Sequence, residues 1–463
     1  MFYPTIYRNF AVANNAKTRL KTDTDIKMMK SILHTAMVAI LVLMLPEVAR
    51  AYDLVVDGIY YDLVDGHAVV TNNGQTNSYN GDVVIPETVT SEGAGYPVTA
   101  IAMNAFNGSI GLTHVTIPNT IKSIGYCAFW DCMGLTTVTI PESVTSIGDY
   151  AFANCYALTE LVYNAVSCDN FNWSTPFIYS NIETISIGDN VKTIPDYFAC
   201  ELESLKTVMI GKSVTEVGVA AFDECVGLTS VHIKDLAAWC SISFYSWTSN
   251  PLYYARRLFL NGEEIKDLVI PESVTSISSF AFLSCSELTS VTIPNTVTSI
   301  GDYAFEDCPR LLKATIGNGL TSMGTKIFNY CHELNNVTCI AAVPPVFRAN
   351  GLFDDLGYYA DATLHVLSES VPSYQSAQYW EEFSAIHGDA IFYMLGDVNG
   401  DGEINIADVN SVIVIIINGG SSGGHTRAPN PYGDGWAVIG DINGDGEVNI
   451  ADINVIIDFI LKG

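Results

Sequence analysis

The chain has 463 residues, 49% of them apolar, which is enough for a large core or several domains. Its 50 acidic residues against 21 basic ones leave a net charge of −29. That excess argues against nucleic acid or an anionic membrane surface as partner, and fits an exported protein kept soluble by charge and able to bind cations.

Residues 1–27 are polar and mildly basic, without periodicity. Either they belong to the product, or translation begins at Met28 or Met29 and they are an artefact of the gene model. Lys27-Met28-Met29-Lys30, the apolar run Ala36–Leu45 and Ala49-Arg50-Ala51 have the layout of a signal peptide over 28–51. The run is too short to cross a bilayer. Cleavage after Ala51 is expected, giving a mature chain that starts at Tyr52 and is secreted or held at the cell surface. No Cys follows the apolar run, which argues against a lipid anchor.

Residues 52–84 alternate, with Leu54, Val56, Ile59, Tyr61 and Leu63 punctuated by Gly58, Gly66 and Asn72-Asn73-Gly74. This predicts antiparallel hairpins, and their position ahead of a repeat array predicts an N-terminal cap.

Residues 85–388 form that array. A 23-residue phrase opens at Leu112, Leu135, Ile182, Leu205, Ile265, Leu288 and Leu311. A fixed period of this length predicts a solenoid, because one coil cannot cover its own apolar face and must stack on its neighbours. In the copy LTSVTIPNTVTSIGDYAFEDC, Val291 and Ile293 share one face of a strand, and Pro294 ends it. Val297 and Ile300 turn back to the core through a second short strand. Gly301-Asp302 breaks the chain, and Asp302 is expected to cap one helical turn holding Ala304 and Phe305. Stacking predicts ladders: Phe129, Phe152, Phe222, Phe282, Phe305 and Phe328, and beside them Ile124, Ile147, Ile194, Val217, Ile277, Ile300 and Met323. About eleven coils at roughly 4.8 Å each would run on the order of 50 Å.

These residues resemble the BspA-like leucine-rich-repeat family, with its T-I-P…S-I-G-x-x-A-F-x-x-C phrase, from about Val83 to Gly388. The resemblance implies a mainly β repeat solenoid that serves as a secreted or surface-attached binding body and not as an enzyme.

Eleven cysteines cannot all pair. Six of them, Cys132, Cys155, Cys225, Cys285, Cys308 and Cys331, share one repeat position, which reads as a buried ladder of small residues. No C-x-x-C pair supports a metal or redox array. Disulfides between adjacent coils stay open in an exported protein.

The array breaks twice. Residues 158–181 lose the second half of the phrase. Residues 234–264 insert a segment carrying Trp239, Phe244, Tyr245, Trp247, Tyr253, Tyr254 and Phe259. Those rings form either a platform for a glycan or peptide, or a small subdomain packed on the solenoid flank. A second candidate surface is the outward row of the first strand: His114/Thr116, Thr137/Thr139, Thr184/Ser186, Thr207/Met209, Ser230/His232, Asp267/Val269, Ser290/Thr292 and Lys313/Thr315. It could hydrogen-bond an extended partner, or reflect only that Thr suits an exposed strand. Beyond Leu334 the phrase decays. A last strand is expected at Ala362–Val366 and a capping helix at Val371–Phe383, anchored by Tyr374, Trp380 and Phe383, so that 362–388 closes the far end.

The sharpest chemistry lies past residue 396. Asp397 to Asp408 and Asp441 to Asp452 are two twelve-residue calcium loops. Calcium takes six to eight hard oxygens, so one short loop must converge carboxylates and amides. In the first, Asp397, Asn399, Asp401, Asn405 and Asp408 supply side chains and Glu403 a carbonyl. In the second they are Asp441, Asn443, Asp445, Asn449 and Asp452, with Glu447. Gly402 and Gly446 make the sharp turn. Two Ca2+ ions are expected. Each loop feeds a segment with apolar residues at i, i+3, i+4 and i+7: Val409, Val412, Ile413 and Ile416, then Ile453, Ile456, Ile457 and Ile460. Residues 395–463 resemble a type I dockerin, a small α-helical calcium domain that docks onto cohesin modules. Position 12 is Asp where EF-hands carry Glu, no clear helical pattern precedes either loop, and Ile-Ala pairs stand where some dockerins have Ser-Thr. The connection Gly419–Val438 reads as a flexible loop. Calcium is expected to be structural, because two short helices bury little apolar area.

No G-x-S-x-G, H-E-x-x-H or P-loop pattern is present, and the eight His pair with no Cys or Asp at a telling spacing, so an enzyme is not expected. Three functions remain: an adhesion-type protein binding protein or glycan, a non-catalytic component of a cohesin-scaffolded polysaccharide-degrading complex, and a hydrolase with an unrecognised site.

Overall fold

The structure, a computed structural model, describes residues 52–348 and 362–390, with positions 409, 427–429, 436–438, 453–454 and 457. The upstream segment 1–27, the signal peptide 28–51 and both calcium loops lie outside the described residues.

Parallel strands stack in register, one rung per coil, as the period requires. The first-strand row runs Thr137–Ile140, Glu160–Tyr163, Thr184–Ile187, Thr207–Ile210, Ser230–Ile233 and Leu258–Leu260, then resumes from Asp267–Val269 to Ala385–His387. Ile277, Ile300 and Met323 align on a second row. The inward residues of both rows are buried through most of the described solenoid, with Leu260, Phe347 and Ile386 partly buried where the rows are interrupted or end. Five of the six expected phenylalanines stack in the column, with Phe129 4.8 Å from Phe152 and Phe282 5.2 Å from Phe305, rings within 6° of parallel; Phe222 is the exception, meeting Phe198 edge-on at 6.3 Å and 72° because the coil before it departs from the phrase. Two further rungs extend it. Phe106 stacks on Phe129 at 4.6 Å, and Phe177 on Phe152 at 5.5 Å. Residues 158–181 therefore keep the phenylalanine of the phrase and give up only the second strand.

The corner that carries these rings is not a helical turn. Tyr303, Phe305 and Asp307 donate their N–H groups to Thr325, Ile327 and Asn329 of the next coil at 2.9, 3.0 and 2.8 Å, whereas Glu306 bonds back to Tyr303 within its own coil. Tyr303 and Asp307 both have φ 57°, the left-handed region. With left-handed residues at both ends of the corner, every second N–H points along the stacking axis, which a helix, with all its N–H groups on i−4, cannot do. Asp302 likewise accepts from the N–H of Thr325, one coil on, at 2.8 Å, and caps no helix of its own. Gly301 is needed for close approach: a Cβ there would lie 2.3 Å from the backbone N of Ser279 in the preceding coil.

At the N-terminal end Leu54–Val56, Ile59–Val64 and His67–Thr71 form an antiparallel meander, which joins the second-strand row through Ala94–Ile101. Parallel pairing already begins inside the stretch read as cap, with His67–Thr71 on Ala94–Ile101 and Asn80–Val84 on Gly111–Thr116. At the other end the expected helix Val371–Phe383 is broken into Val371–Gln375 and a 3-10 turn at Trp380–Glu382, with Tyr379 left-handed between them. The break lets Tyr374, Trp380 and Phe383 all turn inward, where they are 0%, 1% and 7% exposed. Arg427–Pro429 pairs antiparallel with Trp436–Val438, so the connection read as a flexible loop contains a strand pair. Val409, Ile453, Asn454 and Ile457 are helical, as the apolar spacing after each loop predicts.

Candidate interaction surface

The first-strand row presents its outward residues as columns. Register places Thr139, Val162, Ser186, Met209, His232 and Phe259 side by side. Much of the hydroxyl capacity in the neighbouring column is used within the protein: Thr207 and Ser230 bond at 3.1 Å, and Ser290 donates to Asp267 at 2.6 Å. The column ends in a small shelf where the His232 ring stacks on Phe259 at 4.6 Å and 14°. Arg257 covers Phe259 at 5.1 Å and bonds Glu264 at 2.5 Å. Burial against these neighbours holds the His232 imidazole below its ordinary value. Phe259 and Val162 are absent from the row as read by spacing, because both sit where the phrase breaks down.

The 234–264 segment divides its rings between the two readings. It is threaded as part of the stack: Ser243–Phe244 pairs with Glu216–Val217, and Leu258–Leu260 pairs with Ser230–Ile233. Trp239 is buried and donates Nε1–H to the Ala281 carbonyl at 2.8 Å, and the Asn250 amide reaches the Phe280 carbonyl at 2.7 Å. These side chains bridge to the next coil where strand pairing lapses. Tyr245, Trp247 and Tyr253 stay exposed at 74%, 49% and 39%, and Trp247 and Tyr253 lie parallel within 15°.

The cysteine ladder is more than small apolar filler. The thiols of Cys132, Cys155, Cys225, Cys308 and Cys331 each donate to a backbone carbonyl of the preceding coil, at 3.1–3.3 Å. All six ladder thiols are buried and free. Burial pushes Cys132 up to about 12 and Cys155, Cys285 and Cys331 well above the usual thiol range. Such thiols are poor nucleophiles and poor metal ligands.

Stacking also pairs groups that spacing does not. His365 and Asp389 are one coil apart, and their side chains meet at 2.7 Å, with Asn336 at 3.2 Å from the other imidazole nitrogen. The signal for this pair in the sequence is a separation of 24 residues, close to one repeat. The metal ligands read from sequence, Asp397, Asn399, Asp401, Glu403, Asn405, Asp408, Asp441, Asn443, Asp445, Glu447, Asn449 and Asp452, all lie outside the described residues. Among the described residues no helix is long and apolar enough to cross a membrane.

The BspA type leucine-rich repeat region matches over residues 96–197, 171–250 and 254–344, in six copies. A leucine-rich repeat protein from Bacteroides ovatus is similar at 24% identity, over 72% of this chain and 97% of that one, with a TM-score of 0.32. A leucine-rich cell surface protein from Faecalibacterium prausnitzii is similar at 21% identity, over 73% and 94%, with a TM-score of 0.32. A leucine-rich repeat protein from Bacteroides capillosus is similar at 32% identity, over 29% and 96%, with a TM-score of 0.25. No curated protein matches.

Proposed function

We propose, on the premise that this chain belongs to the BspA-type leucine-rich repeat family, that it is a secreted or cell-surface interaction protein of adhesion type. One observation carries the reading. The coil interior is filled rung by rung by buried apolar side chains, so the chemistry the repeats can offer a partner lies in outward rows and corners. Rows repeated at one-coil intervals suit recognition of an extended protein or glycan better than conversion of a small substrate. The test is an array of extracellular-matrix proteins and glycans probed with the mature chain, alongside an activity screen on polysaccharides. Saturable binding without turnover is expected; turnover with no binding partner would overturn the reading.

The C-terminal module adds a calcium-dependent docking function. It is supported by the two complete sets of loop ligands in the sequence, each followed by an apolar helical period. Asp397, Asn399, Asp401, Glu403, Asn405 and Asp408 would hold one Ca2+, and Asp441, Asn443, Asp445, Glu447, Asn449 and Asp452 the other. Ion binding would supply folding energy that the short helices lack. Excess chelator is expected to unfold 395–463 and spare the solenoid, with helical circular dichroism falling and returning with calcium. Unchanged helix content would refute it. The same duplication favours a second reading, a non-catalytic dockerin-bearing component of a cohesin-scaffolded polysaccharide-degrading complex. Calcium-dependent capture of a cohesin module separates the two.

A further inference from the structure

The corner ahead of the phenylalanine column carries an outward line of rings. Four successive coils contribute to it on either side of their phenylalanine: Tyr126 and Trp130, then Tyr150, then Trp173 and Tyr179, then Tyr197. Trp130 meets Tyr150 at 5.5 Å, Tyr126 meets Tyr150 at 6.0 Å, and Trp173 meets Tyr197 at 4.8 Å. Trp173 is 66% exposed and Tyr179 55%, and the other four are half-buried. Tyr150, Tyr179 and Tyr197 all lie in the left-handed region, with φ of 59°, 61° and 53°. Phe129, Phe152 and Phe177, which close the coil, are fully buried, whereas each of these rings reaches solvent.

Acidic side chains run beside the rings, and the protein fixes them. Asn154 of the next coil donates to Asp131 at 2.8 Å, and Asn172 donates to Asp149 at 3.0 Å. Asp196 accepts from the Val219 N–H at 2.6 Å. Each of these bonds engages one carboxylate oxygen and anchors the group, so the carboxylate keeps lone pairs for donors on a partner. Half-exposed rings bordered by anchored acceptors match one chemistry: pyranose rings, whose C–H faces pack on aromatic faces and whose equatorial hydroxyls donate at the rim. The line is one or two rings wide and advances coil by coil, which fits a chain molecule lying along the stack; a globular partner needs a broad patch. The net charge of −29, with acids at the site itself, disfavours an anionic polymer.

The geometry points to a docking track for a linear neutral polysaccharide, formed by the rings and anchored carboxylates between Tyr126 and Tyr197. This rests on the interaction reading above and names the ligand class and the surface. The test is native affinity electrophoresis of the mature chain through gels containing hydroxyethylcellulose, galactomannan, mixed-linkage β-glucan or polygalacturonate. At least one neutral polymer should retard the protein, and polygalacturonate should not. Trp173→Ala and Tyr150→Ala should each weaken retardation at least tenfold, Trp173→Phe should restore part of it, and Val64→Ala in the N-terminal meander should leave it unchanged. Matching circular dichroism spectra establish that the variants are folded. Retardation by polygalacturonate alone, by no polymer, or equally in the folded Trp173→Ala and Tyr150→Ala variants overturns the inference. A chain that binds an immobilised matrix protein but no polysaccharide overturns this inference and leaves the interaction reading standing; a chain that binds neither overturns both.

Discussion

Phe305 is the most direct probe of whether the coils share one continuous interior. It is fully buried, with the Phe282 ring 5.2 Å away on one side and the Phe328 ring 5.7 Å away on the other, tilted by 6° and 25°. Phe305→Ala removes a large apolar side chain from a site flanked by backbone that is tied on both sides by inter-coil hydrogen bonds, so the cavity has little freedom to collapse. The expected cost is about 3–5 kcal/mol, toward the upper end. Phe305→Leu keeps most of the apolar volume but loses both ring contacts, each worth about 0.5–1.5 kcal/mol beyond burial. It should therefore cost about 1–3 kcal/mol. In a solenoid the deficit falls on two interfaces at once, which weakens coupling between the coils on either side. Urea unfolding followed by tryptophan fluorescence and circular dichroism measures the cost. Hydrogen exchange should place the lost protection in the coils around 282–328. If both variants cost under about 1 kcal/mol, or Ala costs no more than Leu, the rings are not stacked in a shared core and the column argument fails.

The buried thiols make stability depend on alkaline pH. Burial pushes Cys132 and Cys240 up to about 12 and Cys339 to about 11, whereas the unfolded thiols ionise near about 8.5. The folded state thus holds protons that the unfolded state releases. Stability is complete below about pH 8.5 and falls by roughly 1.4 kcal/mol per pH unit per thiol as pH rises toward the folded values. The urea midpoint should drop steeply between pH 8 and pH 10, and a flat midpoint would contradict the assignment. Gly301→Ala places a methyl against the Ser279 backbone and should cost about 1–3 kcal/mol by overpacking, whereas Ser278→Ala, in the same column where a side chain is already accommodated, should be close to neutral. Thermal melts of the two variants test this, and equal shifts would show that coil spacing does not depend on that glycine. Asp302→Ala strands the Thr325 N–H and should cost about 1 kcal/mol, while Asp302→Asn keeps the acceptor and most of the stability. Loss of the same stability in both variants would point to charge and away from the inter-coil bond.

Much of this architecture is legible from the period alone. The 23-residue spacing of Phe129, Phe152, Phe282, Phe305 and Phe328 predicts a column, and the column is present because stacked identical coils must place identical residues above one another. The cysteine ladder arises for the same reason. Phe177 escapes the spacing because the segment before it departs from the phrase by insertion, which pattern matching reads as loss although the packing site persists.

Local sequence determined the repeat, the strands, the inward ladders and the acidic character of the chain, because each is encoded within one coil or in composition. Only the tertiary structure decided what happens between coils. It turned the anticipated helical turn into a corner with left-handed residues at both ends, sent Asp302 to a neighbour one coil away, converted the 234–264 insertion into a threaded coil, and brought His365 to Asp389. The physical reason is common to all of these. Their hydrogen-bond partners lie a full coil away in sequence, and a single repeat read in isolation offers its N–H groups only local acceptors.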